Sequence, residues 1–154
     1  MKRLLPAVLL LLSCSTTASA PEAGAHAVVI GSETSFGMCV GYCRSELAID
    51  SAGARLTYSS RDAAGHPPVT HTIALTPAVW RALVEGTDRA TFARLDSVYG
   101  CPDCADGGAE VIELEWSGES QRVIFEYGRP PEPIQALRER IWQLRGRFPE
   151  PPGQ

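Results

Sequence analysis

The chain has 154 residues, of which 44% are hydrophobic and 21% are charged, and acidic residues outnumber basic ones by 18 to 14. This composition excludes a chain that stays disordered for lack of apolar side chains, and the length suits one domain of ordinary size rather than two. The acidic balance excludes partners that demand clustered positive charge, such as nucleic acids and anionic lipid surfaces.

The first thirteen residues have the pattern of a signal peptide. A basic start, Met1-Lys2-Arg3, precedes an apolar run over 4–12 that is too short to cross a bilayer, which takes about 20 residues in a helix. The segment Leu11-Leu12-Ser13-Cys14 resembles the lipobox of bacterial lipoprotein precursors. The resemblance implies that residues 1–13 are a lipoprotein signal peptide and that Cys14 carries a diacylglycerol and becomes the first residue of the mature protein.

An alternative is simple secretion with cleavage after Ala18-Ser19-Ala20, although Pro21 directly after that bond argues against it. With residues 1–13 removed, 12 basic and 18 acidic residues remain, so the net charge is near −6. We expect a protein of the cell envelope, lipid-anchored to a bacterial membrane and facing the periplasm or the exterior.

Small polar residues over 14–26 predict a lipid-anchored flexible tether. A single α+β domain is expected over 27–148, and a Pro-rich tail follows over 149–154. The first half of the domain has strand patterns, and His71 is expected on the buried side of the last of these strands or at the edge of that side. The predicted strands are 28–30, 47–50 and 55–59 on either side of a turn at 51–53, and 69–75, where apolar and polar residues alternate.

The pattern changes to helical spacing after Thr76-Pro77, a pair that suits the N-cap and the first position of a helix. Apolar residues then recur three and four positions apart up to Gly86, which favours a stop. A second short helix is expected from Asp88. The apolar residues of these helices are Val79, Trp80, Leu83 and Val84 in the first and Phe92 and Leu95 in the second.

The sequence of the last part of the domain predicts a β-hairpin with its turn at Ser117-Gly118. It then predicts a helix that begins at Pro133. Strands dominate and the helices do not alternate with them one by one. We therefore predict an α+β fold, with an antiparallel sheet, one or two helices mid-chain, and a C-terminal helix packed on one face. The expected buried positions are Ile112, Leu114, Trp116, Val123, Phe125 and Tyr127 in the hairpin and Ile134, Leu137, Ile141, Leu144 and Phe148 in the helix.

Four cysteines remain in the domain once Cys14 is assigned to lipid, namely Cys39, Cys43, Cys101 and Cys104. Outside the cytosol such thiols are oxidised, so we predict disulfides that staple the domain, with local or crossed pairing left open. Two alternatives use the same cysteines, a zinc site with four thiolates and a thiol-redox centre. An oxidising compartment works against the first, and the acidic neighbours of Cys104, which disfavour a thiolate, work against the second.

The segment 100–110, GCPDCADGGAE, is unusually acidic. The carboxylates of Asp96, Asp103, Asp106 and Glu110 could converge on a hard cation such as calcium. Their spacing does not fit the EF-hand loop, so the favoured interpretation is a solvated loop, pinned by a disulfide, whose Asp residues cap turns. We prefer no metal site.

Three common catalytic motifs, G-x-S-x-G, the phosphate-binding glycine loop and H-E-x-x-H, are absent from the sequence. Gly37-x-Cys39-x-Gly41-x-Cys43, followed by the acidic segment 100–110, resembles a group of uncharacterised bacterial envelope lipoprotein domains. The resemblance implies export, small size and paired cysteines, and it implies no activity. We expect a non-enzymatic envelope lipoprotein that uses no cofactor and binds a protein or a small partner. The alternative is a metal-binding or thiol-redox module built on the four domain cysteines.

Overall fold

The computed structural model describes Ala27 and residues 29–151, and these residues form one seven-stranded sheet and three α-helices. None of these helices is long and apolar enough to cross a membrane. The helices are α1 (Pro77–Val84), α2 (Arg89–Phe92) and α3 (Gln135–Arg145). The strands are β1 (Val29–Ser35), β2 (Arg44–Ile49), β3 (Gly53–Ser59), β4 (Val69–Ala74), β5 (Val98–Tyr99), β6 (Ala109–Trp116) and β7 (Glu119–Glu126).

The sheet has the strand order β4-β3-β2-β1-β6-β7-β5, with β1 at its centre. All neighbouring pairs are antiparallel except the last, in which the two residues of β5 run parallel to β7. The predicted α+β fold with a largely antiparallel sheet is therefore confirmed. The parallel edge strand β5 was not indicated by the sequence, because two residues are too few to show an alternating pattern.

The hydrophobic core lies between one face of the sheet and the helices. Burying each large side chain of this layer contributes roughly 1.5–3 kcal/mol, so the layer is the main source of stability. The predicted apolar stripe of the C-terminal helix is buried as expected. The core side chains include Ile30, Leu47, Ile49, Leu56, Ile112, Leu114, Val123 and Phe125 from the sheet, and Leu83, Phe92, Ile134, Leu137, Ile141, Leu144 and Phe148 from the helical segments.

The helix starts that the sequence indicated are present. The Thr76 hydroxyl accepts a hydrogen bond from the Val79 N–H at 3.4 Å, and a carboxylate oxygen of Asp88 accepts one from the Thr91 N–H at 2.7 Å. Both contacts satisfy backbone donors that a helix N-terminus leaves unpaired. Pro133, however, lies in a separate 3-10 turn (Glu132–Ile134) that precedes α3.

Several strand limits differ from the predictions. β1 continues past its apolar start to Ser35, and β2 begins at Arg44 rather than at 47. The added residues are polar, and they join the sheet because each has a backbone partner on the neighbouring strand. β7 ends before Tyr127, which stays 39% exposed.

The predictions for the signal peptide over 1–13, the lipid on Cys14 and the tether over 14–26 lie outside the described residues. At the other end, packing continues beyond Phe148. The Tyr58 hydroxyl donates to the carbonyl oxygen of Pro149 at 3.2 Å, and Pro151 is buried. The first residues of the Pro-rich tail are thus held against β3.

Candidate functional site

Two disulfide-closed loops lie at the same end of the sheet. The first cysteine loop, residues 36–43, joins β1 to β2, and the second cysteine loop, residues 100–108, joins β5 to β6. Both pairings are local: the Cα atoms of Cys39 and Cys43 are 5.6 Å apart, and those of Cys101 and Cys104 are 5.4 Å apart. The prediction that the domain is stapled by disulfides is confirmed.

The two cysteine loops contact each other directly. The Gly37 N–H donates to a carboxylate oxygen of Asp103 at 2.9 Å. Gly108 has a φ of +83°, and a Cβ at this position would lie 2.5 Å from the ring of Phe36. Only glycine combines that backbone conformation with such a close approach. The first cysteine loop is therefore held in place by the second.

The four acidic candidates do not form one group. The carboxylates of Asp103 and Asp106 both lie beside Gly37, where a Cβ would be 2.8 Å and 3.2 Å from their oxygens. Glu110 lies instead in β6 and is buried, while Asp96 precedes β5 and is exposed. Within the described residues, no three His, Cys, Asp or Glu side chains are positioned to hold a metal ion.

The second disulfide is exposed, but its surroundings are acidic. Cys101 and Cys104 are both exposed, and the Cys101 N–H donates to a carboxylate oxygen of Glu126 at 2.9 Å. Asp103 lies between the two cysteines in sequence. Negative charge on both sides disfavours the thiolate that redox catalysis requires.

Glu110 is the centre of a buried polar group that ties α3 to the sheet. Its carboxylate accepts two hydrogen bonds from the Arg138 guanidinium, at 2.7 and 3.0 Å, one from the Gly128 N–H at 2.8 Å and one from the Trp142 indole at 3.1 Å. Burial raises the pKa of Glu110, but these hydrogen bonds outweigh it and hold the pKa below its ordinary value. The group is satisfied internally and is structural.

Arg145 is a buried cation in the same region, and it has no carboxylate partner among the described residues. Only 8% of it is exposed, and it forms no ion pair with any of the described residues. Its guanidinium donates to the Ser45 hydroxyl at 2.8 Å and to the Ser32 carbonyl oxygen at 2.7 Å, while its buried Nε has no acceptor. Burial lowers the pKa of Arg145 to about 10, a shift that attraction to Glu110 opposes, so the group stays charged at neutral pH.

A cavity of about 340 Å³, which we name the Arg145 cavity, lies between the C-terminal end of α3 and the loop end of the sheet. Its lining combines aromatic rings with polar and charged side chains, and both cysteines of the Cys39–Cys43 disulfide contribute to it. Some of the rings pack edge to face, as in the pair of Tyr127 and Trp142, whose centroids are 5.9 Å apart. The aromatic residues that line the cavity are Phe36, Tyr42, Tyr58, Tyr127 and Trp142.

The C-terminal segment passes the mouth of the Arg145 cavity. Glu150 lines the cavity, and the hydrogen bond from Tyr58 to Pro149 holds this segment nearby. Burial raises the pKa of the Tyr58 hydroxyl, the negative charge of Glu150 adds to the rise, and Arg145 opposes it. Tyr58 is therefore neutral and can donate a hydrogen bond.

A larger depression of about 550 Å³ lies on the sheet face that carries no helices. Most of its charged side chains pair with one another: Glu33 accepts from Arg44 at 3.0 Å and from Arg122 at 3.2 Å, and Arg122 also reaches Glu113 at 3.4 Å. Such exposed pairs contribute little energy and leave no charge in excess. The Arg145 cavity is the stronger candidate, because its Arg145 is buried and has no ion-pair partner among the described residues.

Arg145 was not predicted as a site residue, although the sequence contains a signal for it. Residue 145 lies four positions after Ile141, so the helical period places this arginine beside the buried stripe of α3. In the same way, Glu110 shares the inward face of β6 with Ile112, two residues later. Its assignment to the acidic loop ignored that alternation.

The chain was compared with known proteins and protein families. No protein-family model matches it, and no curated protein matches it. The assignment of a function therefore depends on the geometry of the Arg145 cavity and on the sequence patterns.

Proposed function

We propose that the chain is a non-enzymatic lipoprotein of the cell envelope that binds a small partner in the Arg145 cavity. The observation that carries the proposal is Arg145 itself, a charged guanidinium that is 8% exposed, lines a cavity with aromatic side chains, and has no ion pair among the described residues. Burying a charge without an ion-pair partner costs several kcal/mol of stability. A contribution to stability therefore does not explain Arg145, and a role in binding does.

The size and lining of the cavity support binding. Small-molecule sites have volumes from about 300 Å³ upward and combine apolar walls with a few fixed polar groups. The Arg145 cavity offers aromatic faces and the hydroxyls of Thr34 and Ser45, which are 2.7 Å apart and hold each other in place. Because its rim includes a disulfide and a loop locked by Gly108, the site is preorganised, which lowers the entropic cost of binding.

The proposed location comes from the sequence. The lipobox-like segment ending at Cys14 and the polar tether over 14–26 support attachment to a membrane. Ala27 lies at the start of β1 and the cavity at its end, so a chain arriving from the membrane would leave the cavity opening remote from its point of attachment. This arrangement suits capture of a partner from solution.

Binding in the cavity can be tested with nuclear magnetic resonance of the indole N–H groups. Trp142 lines the cavity, whereas Trp80 and Trp116 do not, so these two serve as internal references. A panel of small acidic, neutral and basic aromatic compounds is titrated into the purified protein. We expect at least one compound to shift the Trp142 signal selectively.

The matched variants are Gly146→Phe and Ala136→Phe, both at α3. Gly146 lines the cavity, has a φ of −62°, and a Cβ there would meet only two carbonyl oxygens at 3.7 Å, so a ring can be added without backbone strain. Ala136 is exposed on the same helix. Gly146→Phe should abolish the selective shift and Ala136→Phe should preserve it. If no compound moves Trp142 more than Trp80, the proposed function is wrong.

A further inference from the structure

We propose that the Arg145 cavity selects a small aromatic carboxylate, with its acid group held by Arg145 and its ring against the aromatic walls. This inference rests on the proposed function and names the class of ligand. The unused donors of Arg145, the charge of the cavity lining and the volume of the cavity support it.

The guanidinium of Arg145 has N–H groups that make no hydrogen bond within the described residues. An arginine carries five N–H donors in a planar fork that matches a carboxylate. Three contacts are present within the described residues, one to the Ser45 hydroxyl and one each to the carbonyl oxygen and the hydroxyl of Ser32. All three acceptors are neutral, and Nε has no acceptor. A bound carboxylate would give Arg145 a charged acceptor, which none of its three hydrogen-bond partners is.

The charges around the cavity favour an anion over a cation. Glu110, the nearest buried carboxylate, is occupied by Arg138, so that pair is neutral. Arg44, which also lines the cavity, is neutralised by Glu33 and Glu46. What remains is the positive charge of Arg145, which the exposed carboxylate of Glu150 at the cavity lining offsets only in part.

The walls and the volume favour one aromatic ring with a short acid chain. An apolar cavity of about 150 Å³ holds a benzene molecule. The Arg145 cavity, at about 340 Å³, therefore has room for a ring and two or three further carbon atoms next to the carboxylate. Trp142 and Tyr58, which both line the cavity, would supply the contacts to this ring.

The test uses 3-phenylpropionate as the acid probe and 3-phenylpropionamide as the neutral probe of the same shape. Dissociation constants are measured by isothermal titration calorimetry with the wild-type protein, Arg145→Met and Arg145→Lys. A charge-assisted hydrogen bond contributes about tenfold or more to affinity. We expect the wild type to bind the acid at least about tenfold more tightly than the amide, and Arg145→Met to lose that preference while still binding the amide.

Glu150→Gln provides an independent readout, because it removes negative charge beside the site without touching Arg145. We expect it to tighten acid binding about threefold and to leave amide binding unchanged. Arg145→Lys keeps the charge but not the fork, and should fall between wild type and Arg145→Met. Should Arg145→Met fail to fold, the wild-type preference and the effect of Glu150→Gln decide the question.

The outcomes separate this inference from the proposed function. If acid and amide bind equally and Gly146→Phe blocks both, the cavity is a binding site but the inference of an anionic ligand is wrong. If neither probe binds and the wider panel also leaves Trp142 unmoved, both proposals are wrong.

Discussion

Replacing Glu110 by alanine should be among the most destabilising single changes in the protein. Glu110 is 3% exposed and accepts four hydrogen bonds from three partners. Its removal leaves the Arg138 guanidinium, the Gly128 N–H and the Trp142 indole without their acceptor. Breaking a buried ion pair by deleting one partner costs about 3–5 kcal/mol, and two further unpaired donors add to the loss. Since the Arg138 side chain keeps 20% exposure, water can solvate part of the stranded charge. We therefore expect about 3–5 kcal/mol in total.

The assay is urea denaturation of the purified wild type, Glu110→Ala, Arg138→Met and the double variant. If the penalty for Glu110→Ala comes mainly from the stranded guanidinium, Arg138→Met in that background should recover about 1–3 kcal/mol, so the two single effects would not add. A cost below about 1 kcal/mol for Glu110→Ala, or additive effects of the two changes, would refute the reasoning.

Four further predictions follow from the same structure. Replacing Cys101 and Cys104 together by Ser should lower the free energy of unfolding by about 2 kcal/mol, a modest amount because the bridge closes a very short loop. Calorimetry should show a melting temperature several degrees lower. An unchanged melting curve would contradict the stabilising role of this disulfide. Gly108→Ala should lower the free energy of unfolding by about 2–4 kcal/mol, because Gly108 has a φ of +83° and its added Cβ would meet the ring of Phe36. The control Gly118→Ala has a similar φ of +84° but no neighbour within 4 Å, and it should cost about 1 kcal/mol. Equal losses for the two variants would contradict the proposed contact between the loops. The pKa of Glu110 is depressed in the folded protein, so its contribution to stability is present above the ordinary value of 4.5 and is lost as the pH falls through the folded pKa. Acid should therefore destabilise the wild type more than Glu110→Gln. If the free energies of unfolding of the two proteins change in parallel with pH, the prediction is wrong. Cys14→Ala should abolish incorporation of radiolabelled palmitate and release the protein from membranes, while a labelled, membrane-bound variant would mean that Cys14 is not the lipid attachment site.

The sequence predicted the helices well because their signals are local. The Thr76 cap and Pro77 mark the start of α1, and the apolar stripe from Ile134 to Phe148 marks α3. Caps and helical periodicity act over a few residues, so they can be read without knowledge of the rest of the fold.

The strands at the centre and the edge of the sheet were harder to predict. The second half of β1 is polar, and it is a strand only because β2 and β6 pair with it on both sides. Two of its polar residues form hydrogen bonds inside the protein: the Thr34 hydroxyl bonds to the Ser45 hydroxyl, and the Ser32 carbonyl oxygen accepts from Arg145. These partners are 11 and 113 residues away in sequence, which no local pattern reveals.

The candidate site was misjudged at the sequence level for the same reason. The acidic segment 100–110 drew attention because its charges are adjacent in sequence, but Glu110 faces the core and Asp103 serves to hold the first cysteine loop. The Arg145 cavity combines residues from β1, β2, β3, α3 and three loops. Only Arg145 gave a local hint, as a charged residue beside a buried helical stripe.

The most direct test of the account is a crystal structure of the protein with 3-phenylpropionate at saturating concentration. We expect the ligand to occupy the Arg145 cavity, with a carboxylate oxygen within about 3 Å of a guanidinium nitrogen of Arg145 and the ring in contact with Trp142. Full occupancy at another place, or an Arg145 cavity that stays filled with solvent at saturation, would contradict the claim that this cavity is the binding site.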